Sequence, residues 1–186
     1  MALPPFHFKK FSVEQQGVAH PVGTDGVLLG AWADVSDCAR ILDIGTGPGV
    51  VPLAVIDLLD RIGTGSAEIY AVERSEEHLE AYNALVPAAA AAMGDRVQVK
   101  KPTRGDIGEI AAGDLPDRID IMVFSNVLGE LRHMRIEERA DLVAALAEQL
   151  APDGTIVVVE PADLANAIAL RQTVRAIADR GLTIHS

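Results

Sequence analysis

Acidic and amide side chains recur in this sequence at the points where short apolar runs end. They are Asp43, Glu73, Asp106, Asn126 and Glu160. If the runs are parallel strands of one sheet, the carboxyl ends of those strands border a single ligand crevice. We therefore expect the chemistry of this protein at that edge of the sheet.

A glycine-rich turn follows the first of these acids. It has the sequence Asp43-Ile44-Gly45-Thr46-Gly47-Pro48-Gly49 and is followed by a helical pattern, with a proline where the first helical turn favours one. A strand that passes through such a turn into a helix presents the amides of the helix N-terminus to a ligand. We expect Gly45, Thr46 and Gly47 to line that ligand.

The position of Asp43 limits which ligand fits. Its carboxylate would repel the pyrophosphate of a dinucleotide, but it suits a ligand with an ammonium group. The helix amides remain for a carboxylate of the same ligand. An amino acid joined to a nucleoside meets both demands, and S-adenosylmethionine is such a molecule. Glu73 is expected to accept hydrogen bonds from both ribose hydroxyls. We expect Asp106 to accept from the adenine amine and Ile107 to lie against the adenine ring.

The elements that position these residues follow from the alternation of short apolar runs with helical stretches. Strands are predicted at 40–44, 68–72, 96–100, 119–124 and 155–159, and a sixth is expected to begin at Leu182. Helices of ten or more residues between strands predict an α/β fold with a doubly wound, mostly parallel sheet. Pro87 is expected to kink or split its helix. We expect residues 1–39 to form a leader that packs on the cofactor site, and 40–186 to form an S-adenosylmethionine-binding domain.

Composition narrows the class of protein. The chain has 186 residues and a net charge of −11, which does not suit an extended grip on a phosphate backbone. No apolar stretch approaches the roughly 20 residues that cross a bilayer, and the N-terminus lacks the pattern of a secretory signal. A cytoplasmic protein with no membrane partner is therefore expected. The single cysteine and the scattered histidines show no metal-ligand spacing, so no metal site is expected.

The motifs as a set resemble the class I S-adenosylmethionine-dependent methyltransferases. The resemblance covers about residues 40–180 and rests on the glycine turn, Glu73, Gly105-Asp106 and Ser125-Asn126. It implies a Rossmann-like methyltransferase fold with S-adenosylmethionine as cofactor. The leader, with Phe8-Lys9-Lys10-Phe11 and the motif at 22–32, resembles the N-terminus of bacterial tRNA adenine-N6 methyltransferases. That resemblance implies that Thr24 lies near the methionine carboxylate of the cofactor.

The stretch after the fourth strand departs from that group. Its members carry Asn-Pro-Pro-Tyr there, in which the asparagine accepts a hydrogen bond from the target amine and the aromatic ring stacks on the base. This chain keeps Ser125-Asn126 and continues with Val127-Leu128-Gly129. The missing stacking partner is worth about 1–3 kcal/mol. We expect Asn126 to contact the cofactor and to act catalytically by orienting the substrate. An amine nucleophile needs no strong base, and Glu130 and His133 are the nearest candidates for one.

The second half has a further resemblance, to methyltransferase-like assembly factors of the small ribosomal subunit. It rests on the stretches 125–131 and 157–161 and on the last helix. Class I domains usually end in an antiparallel strand pair, of which this chain holds only the start. We expect that strand pair to be truncated, or a partner or second copy to complete the sheet edge. The function stays open between methylation of RNA (tRNA or rRNA), methylation of a small molecule or protein side chain, and a non-catalytic cofactor-binding assembly module.

Overall fold

The structure is a computed structural model and describes residues 4–8, 12–13, 27 and 40–185. The predicted contact of Thr24 lies outside the described residues. Two short strands of the leader are described, β1 (Phe6–His7) and β2 (Ser12–Val13), which pair antiparallel. Phe8 and Val13 pack on the hydrophobic core. That residues 1–39 pack on the cofactor site stays a prediction.

From residue 40 the chain alternates strands and helices. The strands are β3 (Arg40–Ile44), β4 (Ala67–Glu73), β5 (Val97–Val99), β6 (Thr103–Arg104), β7 (Ile119–Ser125) and β8 (Leu150–Val159). The helices are α1 (Val50–Ile62), α2 (Glu76–Ala91), α3 (Ile136–Ala147) and α4 (Leu164–Ala178). Short 3₁₀ turns lie at Gly94–Arg96 and Ala112–Asp114.

The large sheet has the strand order β5-β4-β3-β7-β8, and β6 pairs with β4. All its pairs are parallel, which confirms the predicted doubly wound sheet. On one side of the β3–β7 pair the strands follow in the order β3, β4 and β5, and on the other side β7 is followed by β8. The connections to the two sides of that pair therefore diverge there, which opens a crevice at the carboxyl ends of β3 and β7.

Helices cover both faces of this sheet because its strands are apolar on both sides. Successive residues of a strand point to opposite faces, so Ile41 packs with α1 and α2, whereas Leu42 packs with α3 and α4. In β7, Val123 packs with α1 and α2, whereas Met122 packs with α3 and α4. The central strands are consequently held on both faces, and their carboxyl ends present side chains at fixed positions.

Three local predictions need correction. Of the kink or split expected at Pro87, the split does not occur, because helix α2 continues to Ala91. Pro87 is exposed, so water can satisfy the carbonyl that loses its helical donor. Strand β8 begins at Leu150, within a stretch whose proline and glycine predicted only a turn, and a register shift between Ile119 and Ile121 accommodates it. Residues 182–185 are not in a strand.

Candidate functional site

A cavity of about 720 Å³ lies at the carboxyl ends of the central strands. Its volume is in the range of small-molecule and cofactor sites. The residues predicted to bind the cofactor or to orient the substrate line it, apart from Thr24, which lies outside the described residues; they are Asp43, Gly45, Thr46, Gly47, Glu73, Asp106, Ile107 and Asn126. The structure therefore brings these residues together around one space, while their individual contacts with a cofactor stay predictions. Glu160, the last of the strand-end acids, does not line it.

Asp43 is the most unusual group in this cavity. The residue is 1% exposed, and within the described part of the chain neither carboxylate oxygen has a hydrogen-bond partner. Burial raises the pKa of Asp43 to about 7; the nearby hydroxyl of Thr46 acts against this rise and the charge of Glu73 adds to it. A buried carboxylate without donors is costly, so its presence in a cavity wall indicates a ligand that supplies a donor.

The glycine turn combines open space with close packing. A side chain at Gly47 would meet nothing within 4 Å, whereas a Cβ at Gly45 would lie 2.5 Å from Cγ2 of Val127. Both glycines have positive φ, which a side chain disfavours. The cavity thus stays open beside Gly47, and Gly45 makes room for Val127 from the loop after β7.

Glu73 holds the turn in place. Its Oε2 accepts a hydrogen bond from the N–H of Gly47 at 2.8 Å, and its Oε1 accepts from the N–H of Ser75 at 2.7 Å. Nδ1 of His78 lies 3.7 Å from Oε1. A carboxylate can accept about four hydrogen bonds, so ribose hydroxyls can bind without displacing these backbone donors.

Arg74 links two acids across the rim of the cavity. Its Nη1 lies 3.5 Å from Oδ2 of Asp106, and its Nη2 lies 3.4 Å from Oε2 of Glu130. Asp106 also accepts the N–H of Gly108 through Oδ1 at 3.0 Å. Ile107 beside it is buried and lines the cavity. The predicted adenine acceptor is therefore shared with a cation in this structure.

Asn126 directly follows β7 and lines the cavity. Its backbone N–H donates to the carbonyl of Val159 at 2.8 Å, and its φ is 59°. Asparagine is one of the few residues besides glycine that adopt this left-handed conformation readily. The chain turns sharply at Asn126 and leaves the sheet.

The cavity also contains side chains that the sequence did not single out. Arg74, Ser75, His78 and Pro161 line it. Each of them follows a strand-end acid within five residues. Closeness in sequence to such an acid is the signal that could have predicted them. Glu130 lines the cavity and is paired with Arg74; His133 is exposed and does not line it.

A metal-binding cluster and a membrane-spanning helix are both absent from the described residues. Among them, no group of His, Cys, Asp and Glu is arranged to hold a metal ion. In the same part of the chain, no helix has both the length and the apolar character to cross a membrane.

Comparison with known proteins assigns the family. A family model described as a methyltransferase domain matches residues 24–186. The chain belongs to this methyltransferase family. The tRNA1(Val) (adenine(37)-N6)-methyltransferase of Bacteroides thetaiotaomicron is 35% identical to it over 180 residues, which covers 90% of this chain and 71% of the relative. The enzyme with the same description from Parabacteroides distasonis is 34% identical over 169 residues, covering 87% and 68%.

Solved structures of other methyltransferases share the fold. The CcbJ methyltransferase from Streptomyces caelestis is 28% identical, with a TM-score of 0.55 over 78% of this chain and 55% of that one. The glycopeptide N-methyltransferase MtfA, solved with sinefungin, is 20% identical, with a TM-score of 0.61 over 88% and 79%. The chain is thus an S-adenosylmethionine-dependent methyltransferase, and the unpartnered carboxylate of Asp43 and the open space at Gly47 fit that cofactor.

Proposed function

We propose that this methyltransferase modifies an amine nitrogen in RNA, with tRNA as the substrate class. The observation that carries the proposal is the 35% identity to the Bacteroides thetaiotaomicron tRNA methyltransferase, which extends over 90% of this chain. Asn126 supports it, because this residue lines the cavity and the oxygen of a side-chain amide can accept a hydrogen bond from an amine.

In this proposal the cofactor residues act as a rigid cradle. Asp43 binds the ammonium group, Glu73 binds the ribose, and Asp106 with Ile107 binds the adenine. The N–H groups of Gly45, Thr46 and Gly47 already donate to Val72 and Glu73, so the N–H groups in the first turn of α1 are proposed to face the carboxylate. Thr24 is proposed to lie near the methionine carboxylate. When bound, S-adenosylmethionine supplies an electrophilic methyl group on a sulfonium.

Asn126 is proposed to orient the acceptor. Its amide oxygen holds the amine so that the nitrogen lone pair points at the methyl carbon, and such orientation can supply several kcal/mol, about 7–11 at best. An amine held in this way would take the methyl group that the cofactor supplies, and the sulfur would leave with the electron pair of its bond to that methyl group. The proton of the methylated nitrogen is released to water, so the site needs no strong base.

Transfer of labelled methyl groups tests the proposal. The protein is incubated with labelled cofactor and separately with tRNA, ribosomal RNA, protein and small-molecule fractions, and tRNA transcripts without modifications serve as the purest acceptor. We expect label in tRNA, at a rate that falls with Asn126→Ala. Asp43→Asn should abolish it by preventing cofactor binding. Label in a non-RNA fraction alone would contradict the proposed substrate.

A small-molecule amine is the second candidate, and the cavity lining favours it. Among the described residues that line the cavity there is no Phe, Tyr or Trp on which a base could stack. Glu130 and Asp106 at its rim carry negative charge and would attract a cationic amine rather than a polyphosphate. The same transfer experiment separates the candidates by the fraction that takes up label.

A cytoplasmic location is proposed because tRNA substrates are found there. Within the described residues β8 pairs only with β7, and a second copy or a partner is proposed to complete that edge. Sedimentation of the pure chain tests this: a monomer over the accessible concentration range would exclude the second copy.

A further inference from the structure

We propose that Glu160 is a positioning residue for methyl transfer, which holds the backbone of residues 128–129 and thereby sets Asn126 at the cavity wall. The proposal rests on the function proposed for Asn126 and assigns a role to a residue that does not itself line the cavity. Glu160 follows directly after β8, the strand that neighbours β7.

The hydrogen bonds described for Glu160 are made with the loop that follows β7. Its Oε1 accepts from the N–H of Leu128 at 2.7 Å, and its Oε2 accepts from the N–H of Gly129 at 3.1 Å. One carboxylate therefore fixes two successive peptide units with charge-assisted hydrogen bonds, which are stronger than neutral ones.

Asn126 depends on the same segment. It lies in the left-handed conformation two residues before Leu128, and its own N–H is bound to the carbonyl of Val159, the residue before Glu160. The loop is thus attached to the end of β8 on both sides of Val127.

Gly129 shows how closely the loop approaches this carboxylate. A Cβ at Gly129 would lie 2.7 Å from Oε2 of Glu160 and 2.9 Å from Oδ1 of Asn166. Asn166 is itself bound to Asp163, which caps the start of α4. These two side-chain oxygens leave no room for a Cβ, so alanine at position 129 would displace the Glu160 carboxylate and break the bridge from the loop side.

Two variants perturb the bridge from opposite sides. Glu160→Gln keeps the size of the side chain but places an NH₂ group against one of the two backbone donors, and Gly129→Ala pushes the carboxylate away. The matched controls are Glu138→Gln, which removes a carboxylate that accepts the N–H of Arg135, and Gly113→Ala, which adds a Cβ where nothing lies within 4 Å. Thermal unfolding establishes that all four variants fold.

Hydrogen exchange and the NMR signal of the Asn126 side-chain amide provide readouts that need no substrate. We expect amide exchange in the segment 125–131 to rise about tenfold in Glu160→Gln and Gly129→Ala, as loss of a charge-assisted bond predicts. The Asn126 signal, assigned by its loss in Asn126→Ala, should shift in both. The controls should leave both readouts unchanged, and cofactor affinity from calorimetry should stay within about twofold in all four variants.

The transfer assay then tests the link to Asn126. We expect Glu160→Gln to lower kcat about tenfold with little change in KM for the acceptor, and to cost nothing more when Asn126 is already alanine. An equal loss with and without Asn126, or unchanged exchange and an unmoved Asn126 signal, would overturn the proposal. If the native chain methylates no acceptor, the proposed function fails, and the exchange and NMR readouts alone decide the role of Glu160.

Discussion

Replacement of Asp43 by asparagine should remove a large pH dependence from the stability of the cofactor-free protein. Burial raises the pKa of this carboxyl from its ordinary 3.8 to about 7 in the folded chain. Between these values the folded protein keeps a proton that the unfolded chain has lost, so the free energy of unfolding falls as the pH rises through this window. Above pH 7 both states are ionised and the dependence ends.

The size of the effect follows from the pKa difference. About 3 units at about 1.36 kcal/mol each give a total cost of at most about 4 kcal/mol for keeping Asp43 ionised and unpartnered. Between pH 5 and pH 8 the native chain should lose about 2.5 kcal/mol of stability to this residue. Asp43→Asn carries no charge, so its unfolding free energy should fall less over that range by the same amount.

Urea denaturation at pH 5, 6, 7 and 8 without cofactor measures this difference. Glu80→Gln is the control, because Glu80 is an exposed carboxylate on α2 and its removal should leave the native slope in place. Parallel pH profiles of the native protein and Asp43→Asn would refute the argument that the carboxylate is buried without a donor. In the native protein, cofactor binding at pH 6 should release protons, because a bound ammonium lowers the pKa of Asp43. Calorimetry in two buffers of different ionisation enthalpy measures that release.

Three further variants test other parts of the site and the fold. Asn126→Ala should lower kcat about tenfold or more and weaken cofactor binding by calorimetry only about twofold to threefold, because Asn126 is proposed to orient the reacting amine and to make one of several contacts with the cofactor. Arg74→Gln should tighten cofactor binding up to about fivefold, since it removes a cation that occupies Asp106; weaker binding would show that Arg74 holds the cofactor itself. Gly49→Ala should lower the free energy of unfolding, measured by urea titration, by about 2 kcal/mol more than Gly63→Ala. Both glycines have positive φ and share that conformational cost, but of the two only Gly49 faces close side chains.

The fold and the place of the site could be predicted from local patterns in the sequence. Apolar runs followed by acids predicted the parallel strands, and parallel strands necessarily bring Asp43, Glu73 and Asp106 to one edge. The extension of β8 could not be predicted, because a proline and a glycine normally end a strand. Only the pairing with β7 and its register shift shows that these residues continue the ladder.

The interactions of the loop after β7 could not be predicted from the sequence, for a different reason. Gly45 belongs to the expected glycine motif, yet the structure adds a role that the motif does not contain, which is to admit Val127. The bridge of Arg74 to Asp106 and Glu130 joins residues from three separate connections. Contacts of this kind depend on how loops pack after the sheet has formed, and no periodic pattern records them.

The charges around the cavity affect the affinity of the protein for the cofactor relative to its affinity for the product. Asp43, Glu73, Asp106 and Glu130 line it and Arg74 offsets part of their charge. S-adenosylmethionine carries a positive sulfonium that methyl transfer removes, so the lining attracts the cofactor more than the product, by about 0.5–2 kcal/mol per nearby carboxylate. The same carboxylates repel phosphates. We therefore expect an RNA acceptor to enter the cavity with its amine and base while its backbone stays outside. Added salt should weaken cofactor binding and ease the approach of RNA, because it screens both the attraction and the repulsion.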